Sequence, residues 1–413
     1  MTKIYPVKLT GEVFIPSSKS LSHRYVIAAA LAEGKSIVRN VLDSDDLLAT
    51  KKALMSFGAK INNEEIVGSK IKVIDDVIDC NESGSTFRFL VPIAMLLDQA
   101  LTFIGKGKLG DRPIDVYDEI FKTKYTFMHP INASLPLMVK GPLKANTYQL
   151  RGNVSSQFLT GLLFALPLVN GDSKITLTTE LESSGYVDLT LDVLKRFGIK
   201  IEHQDNQYLI PGNQQYQVVD LTVEGDYSSA AFYIVAGTIG SKILIKGLNR
   251  NSLQGDRKII DVLKKMNGLL DFTDEGLMVN PAKTKGTTID LKDIPDLGPI
   301  LMLLASRSKG VSTFKNVSRL RIKESDRLQA MIDNLSSLGV KLELEEDELK
   351  VYGQETLYPT KTLKSYGDHR IAMTLAVASI ISSKPLVIDD ISVVSKSYPN
   401  FFNDFIKLGG KIK

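Results

Sequence analysis

Five times along the chain an amphipathic stretch runs into Leu/Phe-x-Gly, or a close variant, and then into a short β-like run. The copies are ALMSFGAKI near Gly58, VLKRFGIKI near Gly198, VLKKMNGLL near Gly268, NLSSLGVKL near Gly339 and FIKLGGKIK near Gly409. Their glycines lie 140, 70, 71 and 70 residues apart. The gap of 140 has room for one more copy near residue 128, and YDEIFKTKYTFMHPI occupies it without a glycine. Six units of about 70 residues therefore account for the chain, a period that fixes the architecture before any single motif is read.

Each unit also holds a second, more apolar helix that opens on small polar residues. These begin at Ser18, Ser83, Ser155, Asp226, Asp296 and Gly367. Helices apolar nearly all round are buried ones. Short β-branched runs alternate with the helices (Ser36–Arg39, Lys70–Ile74, Ile175–Thr179, Lys242–Ile245, Leu349–Tyr352 and Leu386–Ile388), so the fold class is α/β or α+β. A solenoid is disfavoured, because solenoid repeats run to roughly 20–50 residues and lack buried central helices. Two globular halves of three units fit better. They divide near Val223-Glu-Gly-Asp226, and helix N-termini facing the cleft between them would attract anions.

Composition removes several classes. With 43% hydrophobic and 24% charged residues the chain reads as soluble and globular, and a net charge of +4 is too mild to argue for nucleic acid. One cysteine, Cys80, excludes an internal disulfide and a cysteine-based metal cluster. No signal peptide is evident, and the apolar runs are too short to span a bilayer, so a cytoplasmic location is expected. No Walker loop and no G-x-G-x-x-G opens a helix, and no His or carboxylate spacing suggests a metal; neither a metal nor a cofactor is expected.

The chemistry concentrates in Arg319-Leu-Arg-Ile-Lys-Glu-Ser-Asp-Arg327. Leu328, Met331, Ile332 and Leu335 follow as one stripe of a helix, with Ser325 as its expected N-cap. Lys323 and Arg327 at such a start make an anion site, and Glu324 sets a carboxylate among cations where it can move a proton. Other helix starts carry similar equipment. Lys19, Ser20 and Arg24 open the first buried helix, with Arg24 one turn beyond Ser20. Gly84, in Glu82-Ser-Gly-Ser-Thr-Phe-Arg88, lets an anion approach backbone. Arg112, before a proline, is extended and able to reach. Ser155, Ser156 and Gln157 group three hydrogen-bonding side chains, Ser183 and Tyr186 add a hydroxyl and a phenol, and Asp296 heads an apolar helix as a cap or a base. Arg370 and Lys396 complete the cations, and the acidic turn Asp43–Asp46 is read chiefly as a cap.

Together SKS-x-S-x-R, SGST-x-R, DRPI, SSQFLTGLL, IPD, RIKESDR, GDHR-x-AM and SKSYP-x-F, in this order over essentially the whole chain, resemble the 5-enolpyruvylshikimate-3-phosphate synthases among the enolpyruvyl transferases. The resemblance implies two domains, each of three β-α-β-α-β-β units: residues 15–224, and residues 1–14 with 225–413. It implies transfer of the carboxyvinyl group of phosphoenolpyruvate to the 5-hydroxyl of shikimate 3-phosphate, without a metal. Asp296, Glu324 and Lys19 match the catalytic residues. Lys19, Ser20, Arg24, Ser155, Ser156, Gln157, Ser183, Tyr186, Asp296 and Lys323 match the shikimate 3-phosphate contacts. Lys19, Gly84, Arg112, Gln157, Arg327, Arg370 and Lys396 match those for phosphoenolpyruvate, the site glyphosate occupies in this family. A monomer is expected. Departures from the family pattern are Glu82, Phe89, Arg319 and Ser184-Gly185. The sister transferase acting on UDP-N-acetylglucosamine typically carries a cysteine before the RP motif, where this chain has Gly105–Arg112 without one. A non-catalytic phosphate- or RNA-binding repeat protein would lack paired carboxylates and would interleave aromatic with basic residues.

Overall fold

A computed structural model describes all of residues 1–413. The chain forms two compact units, Lys19–Val223 and Met1–Ser18 with Glu224–Lys413. In chain order the first repeat contains β1 (Thr2–Tyr5), β2 (Gly11–Phe14), α1 (Lys19–Leu31), β3 (Gly34–Arg39), α2 (Asp45–Ser56), β4 (Lys60–Asn62) and β5 (Glu65–Gly68). The second is β6 (Val77–Asp79), α3 (Gly84–Ala94), β7 (Leu101–Ile104), α4 (Asp115–Phe121), β8 (Thr126–Met128) and β9 (Leu137–Lys140). The third is β10 (Thr147–Leu150), α5 (Ser156–Ala165), β11 (Ser173–Leu177), α6 (Ser184–Arg196), β12 (Glu202–Gln204) and β13 (Gln207–Ile210). The fourth follows as β14 (Asp220–Thr222), α7 (Tyr227–Ile239), β15 (Ile243–Lys246), α8 (Ile259–Lys265), β16 (Leu269–Phe272) and β17 (Leu277–Asn280). The fifth is β18 (Thr288–Asp290), α9 (Gly298–Arg307), β19 (Val311–Lys315), α10 (Arg327–Ser337), β20 (Leu342–Glu345) and β21 (Glu348–Tyr352). The last is α11 (His369–Ala378), β22 (Leu386–Ile388), α12 (Phe401–Lys407) and β23 (Lys411–Ile412).

Five of the six sheets are small, four-stranded and mixed, as in the order β6-β7-β9-β8, with the first pair parallel and the others antiparallel. Two strands pair away from their place in the chain. β2 precedes α1 yet lies parallel to β15, whereas β14 precedes α7 yet lies parallel to β3. The sixth sheet takes its third strand from the N-terminus: β1 sits between β22 and β23, antiparallel to both.

The recurring glycine closes a helix by one mechanism. In Gly58, Gly198, Gly339 and Gly409 φ is 97°, 79°, 84° and 99°, the left-handed region. Each donates its N–H three residues back, and the next residue reaches five back, as in Gly58 to Met55 and Ala59 to Leu54. That is the Schellman arrangement, which glycine adopts without a Cβ penalty. In the fourth copy the left-handed residue is Asn267 (φ 65°), not Gly268. In the second copy α4 ends at Phe121 with Lys122 still helical, so no glycine is needed.

Each unit has its own core. In one, α7, α9 and α11 pack on one another and on the sheets. In the other, α3 and α5 pack closely, and α1 lies against α2 and α6. Two expectations fail. Lys70–Ile74 is not a strand: β5 ends at Gly68, and the stretch beyond it bonds back to the end of α2 through Lys72 N–H to Phe57 O and Ile74 N–H to Ser56 O. The N-cap of α10 is Asp326, whose carboxylate accepts from Gln329 N–H, while the Ser325 hydroxyl turns inward to Asp368.

Candidate active site

In the unit that carries α7–α12 the charged residues converge on Arg327, the first residue of α10. Its guanidinium is 1% exposed and fully engaged. Nη1 donates to Asp296 Oδ1 at 2.8 Å, Nη2 to Glu324 Oε2 at 2.6 Å and Nε to Asp368 Oδ2 at 2.8 Å. Asp296 comes from the turn before α9, Glu324 from the segment before α10, and Asp368 is the N-cap of α11. Asp296 is itself shared, with Arg370 Nη2 at 3.0 Å from Oδ2 and Lys323 Nζ at 3.8 Å from Oδ1. Lys396 donates to Gly367 O at 3.1 Å, beside the start of α11. Three carboxylates thus face three cations in low dielectric, where an unpaired charge would cost several kcal/mol.

This packing sets the proton affinities. Burial alone pushes the Asp296 carboxyl up, but Arg370, Lys323 and Arg327 outweigh it and hold the group well below the usual carboxylate range. Burial likewise opposes ionised Asp368, and Arg327, helped by His369, overcomes it. Lys323 is shifted down, chiefly by burial. As it stands, Asp296 is a carboxylate held as an anion by its neighbours.

The unit that carries α1–α6 is built differently. Lys19, the first residue of α1, pairs with Asp46 of α2 at 2.6 Å. One turn on, Arg24 is 3% exposed and meets no carboxylate. It donates to Thr190 Oγ1 at 2.9 Å, Ser20 O at 2.8 Å and Tyr186 O at 3.0 Å, and it stacks over the rings of Phe89 and Tyr186. Burial pushes it down to about 10. A cation taken out of water with only neutral partners leaves a local positive field for an anion. Ser183, at the start of α6 next to Tyr186, is buried with φ 57°, a left-handed conformation uncommon outside glycine.

A second cluster joins the starts of α3 and α5. Gln157 accepts from Arg88 Nη1 at 2.9 Å and donates to Ser85 Oγ at 3.1 Å. Ser155 caps α5, its hydroxyl accepting from Gln157 N–H at 3.3 Å; Ser156 is buried beside it. Gly84, the first residue of α3, has Arg112 against it: a Cβ there would sit 2.6 Å from Arg112 Nη1 and 3.6 Å from Gln157 Oε1. Arg112 is extended (φ −78°, ψ 142°), as the following proline requires.

The residues 4–405 match the family model described as EPSP synthase (3-phosphoshikimate 1-carboxyvinyltransferase). The 3-phosphoshikimate 1-carboxyvinyltransferase of Clostridium botulinum (strain Alaska E43 / Type E3) is 46% identical over 99% of this chain and 97% of that protein. Its counterpart in Clostridioides difficile (strain 630) is also 46% identical, over 99% and 98%. The chain belongs to the EPSP synthase family. It is a transferase of aromatic amino acid biosynthesis by the shikimate route. The EPSP synthase of Acinetobacter baumannii matches in fold with a TM-score of 0.83 over 100% of this chain and 99% of that one, at 24% identity. The enolpyruvyl transferase NikO of Streptomyces tendae gives 0.81 over 100% and 98%, at 16% identity.

Against the EPSP synthase motifs, the structure groups Asp296, Lys323, Glu324, Arg327 and Arg370, with Lys396 beside the start of α11, in one unit. In the other it groups Lys19, Ser20, Arg24, Ser183 and Tyr186 around α1 and α6, and Gly84, Arg112, Ser155, Ser156 and Gln157 around α3 and α5. Sequence reading undervalued two carboxylates. Asp368 was visible only as a neighbour of Arg370, yet it is 0% exposed and holds Arg327. Asp46 looked like a cap, but Ser44 caps α2 and leaves Asp46 to Lys19. Arg88 closes the Gly84 motif in the sequence, and its link to Gln157 requires α3 against α5. Glu82 lies against the backbone of Gly107, where a Cβ would meet its Oε1 at 2.7 Å.

Proposed function

We propose that the chain transfers the carboxyvinyl group of phosphoenolpyruvate to the 5-hydroxyl of shikimate 3-phosphate, releasing 5-enolpyruvylshikimate 3-phosphate and phosphate. The observation that carries the residue assignment is the contrast between two buried arginines. Arg24 has only neutral partners and suits an anionic substrate group, whereas Arg327 is saturated by three carboxylates and suits the orientation of acid/base groups.

Shikimate 3-phosphate is held by Ser20, Arg24, Ser155, Ser156, Gln157, Ser183, Tyr186 and Lys323, and phosphoenolpyruvate by Gly84, Arg112, Gln157, Arg370 and Lys396, with Lys19 touching both; Arg327, which the family motif also counts among the phosphoenolpyruvate contacts, serves that site by orienting Asp296 and Glu324. The 5-hydroxyl oxygen adds to C2 of phosphoenolpyruvate as Asp296 takes the hydroxyl proton. Glu324, with Lys19, delivers a proton to C3, giving a tetrahedral intermediate with a methyl group. The C2–O bond to phosphate then breaks, and C3 returns a proton to restore the double bond. Fixed cations offset the repulsion between the two anions.

Asp296 is a weak base while Arg370, Lys323 and Arg327 hold it. Substrate phosphate and carboxylate groups that draw Arg370 and Lys323 to themselves raise its affinity for a proton. General-base strength then appears when both substrates are present.

We place the reaction in the cytoplasm, carried out by a single chain and inhibited by glyphosate; no helix is long and apolar enough to cross a membrane. The decisive assay is phosphate release from phosphoenolpyruvate without added metal, comparing shikimate 3-phosphate with UDP-N-acetylglucosamine. Release that requires shikimate 3-phosphate supports the reading; release with the nucleotide sugar alone, or with neither, refutes it.

A further inference from the structure

Arg112 lies in a loop, and a second segment of the same unit grips that loop by its backbone. Buried Ser134 donates its hydroxyl to Arg112 O and its N–H to Gly110 O, the latter at 2.7 Å. The segment is held in turn by His129. Its Nδ1 lies 2.8 Å from Ala133 O and 2.9 Å from Pro130 O. Its Nε2 lies 3.0 Å from each carboxylate oxygen of Asp118, in α4. All of these partners are hydrogen-bond acceptors. A neutral imidazole carries one N–H and can serve one side, so the arrangement is complete when both ring nitrogens are protonated. The charged groups at this ring are Asp118 and, behind it, Lys122, whose Nζ is 3.8 Å from Asp118 Oδ1. From β8 the uncharged ring of Phe127 meets the imidazole edge-on, with centroids 6.2 Å apart.

We propose that His129, as an imidazolium, is a positioning residue for phosphoenolpyruvate: bridged between Asp118 and the carbonyls of Pro130 and Ala133, it fixes the segment through which Ser134 holds the backbone of Arg112. The inference rests on the assignment of Arg112 to phosphoenolpyruvate. Burial opposes the charge on His129, but the Asp118 carboxylate and the two carbonyls outweigh it and raise the proton affinity above the ordinary histidine value. When one ring proton leaves, the other stays with the carboxylate, the stronger acceptor, and Nδ1 turns a lone pair on two carbonyl oxygens. The bracing of Arg112 is therefore present while His129 is doubly protonated and is lost as pH rises through its raised midpoint.

The test measures kcat and both KM values from about pH 6 to about pH 9 in the parent and Ser134→Ala enzymes, each with and without Asp118→Asn. At the acid end Ser134→Ala should raise KM for phosphoenolpyruvate by about 2–10-fold, the weight of one ordinary hydrogen bond. KM for shikimate 3-phosphate and kcat should stay within ~2-fold of the parent, a split that general loosening of the fold would not give. Dividing the variant KM for phosphoenolpyruvate by that of the parent cancels the titration of phosphoenolpyruvate itself. This ratio should fall towards one as pH rises, because the parent then loses the bracing that the variant already lacks. The midpoint of the fall should match the titration of the His129 ring followed by NMR. Asp118→Asn removes the carboxylate that favours the second ring proton, so both midpoints should move to lower pH. A ratio that does not change with pH overturns the inference, as does a rise shared equally by both KM values. Should Ser134→Ala not fold, Asp118→Asn alone decides: a KM for phosphoenolpyruvate that exceeds the parental value around neutral pH, with the His129 midpoint lowered, supports the inference, and an unchanged KM overturns it. A parent without phosphate release dependent on shikimate 3-phosphate instead overturns the proposed function, and this inference with it.

Discussion

Removing the guanidinium of Arg327 tests whether the cluster is held together by charge. In Arg327→Met the side chain keeps a comparable apolar stem, but Asp368 is left 0% exposed without the partner at 2.8 Å, and Asp296 loses one of its cations. Breaking a buried pair by deleting one member costs about 3–5 kcal/mol. For a unit of about 200 residues, each kcal/mol lowers Tm by about 2–4 °C, so the transition should fall by roughly 6–20 °C at neutral pH. The pH dependence has a definite sign. In the parent, Asp368 is shifted down, so its stabilisation is present above the unfolded carboxyl range near 4 and is lost as pH falls through its lower folded value. In the variant, burial is no longer outweighed by Arg327 and shifts Asp368 up; the deficit at pH 4 is the pairing the parent still has there, and it grows as pH rises and the unpaired carboxyl resists ionisation. Asp368→Asn in the Arg327→Met background should recover much of the loss at pH 7.5 and little at pH 4. Thermal unfolding followed by circular dichroism at the two pH values measures this. A deficit under about 1 kcal/mol, or one that does not change with pH, refutes the argument.

Other consequences concern activity. Arg24→Met should raise KM for shikimate 3-phosphate by at least ~10²-fold, since two charge-assisted bonds contribute about 1.5–3 kcal/mol each; Tm should hold or rise, because the buried charge has no carboxylate to lose. A loss of both stability and binding would contradict the uncompensated burial of Arg24. Gly84→Ala places a methyl 2.6 Å from Arg112 Nη1, so the arginine must move, and both KM for phosphoenolpyruvate and the inhibitory concentration of glyphosate should increase. Unchanged inhibition would sink that reading. Glu324→Gln should lower kcat by roughly 10²–10⁴-fold with a small change in both KM values, the size expected for a general acid–base group; a loss confined to KM would make Glu324 a binding residue only.

Much of the fold was legible because its repeats announce themselves through local rules. Gly58, Gly198, Gly339 and Gly409 occupy left-handed positions that few other residues accept, and the apolar helices between them could only be buried. Pairing across the chain was not legible. Nothing in Gly11–Phe14 or Asp220–Thr222 says that β2 lies against β15 and β14 against β3, since strand partners depend on closure of the sheet. Capping misled where two polar residues competed. Ser325 and Asp326 are both good caps; the carboxylate took Gln329 N–H, while the hydroxyl found the buried Asp368. Candidate cations were easier to find than their counter-charges, because Arg327 shows itself in a charged run whereas Asp368 reaches it from a segment 41 residues away.

The two arginines also explain why such an array needs both kinds of burial. A guanidinium surrounded by carboxylates costs little to keep folded, but it has little field left over for a substrate. Arg24 is the opposite, destabilising to the empty fold and strongly attractive to an anion. Its guanidinium is fixed by Thr190, Ser20 and Tyr186, so its orientation is set before a ligand arrives and little ordering is lost on binding. The Arg327 cluster serves geometry instead. With Asp296, Glu324 and Asp368 fanned around one rigid fork, the carboxylates proposed as acid and base are held while Arg370 and Lys323, each paired with Asp296 at the edge of the fan, are the cations most easily drawn to an anion.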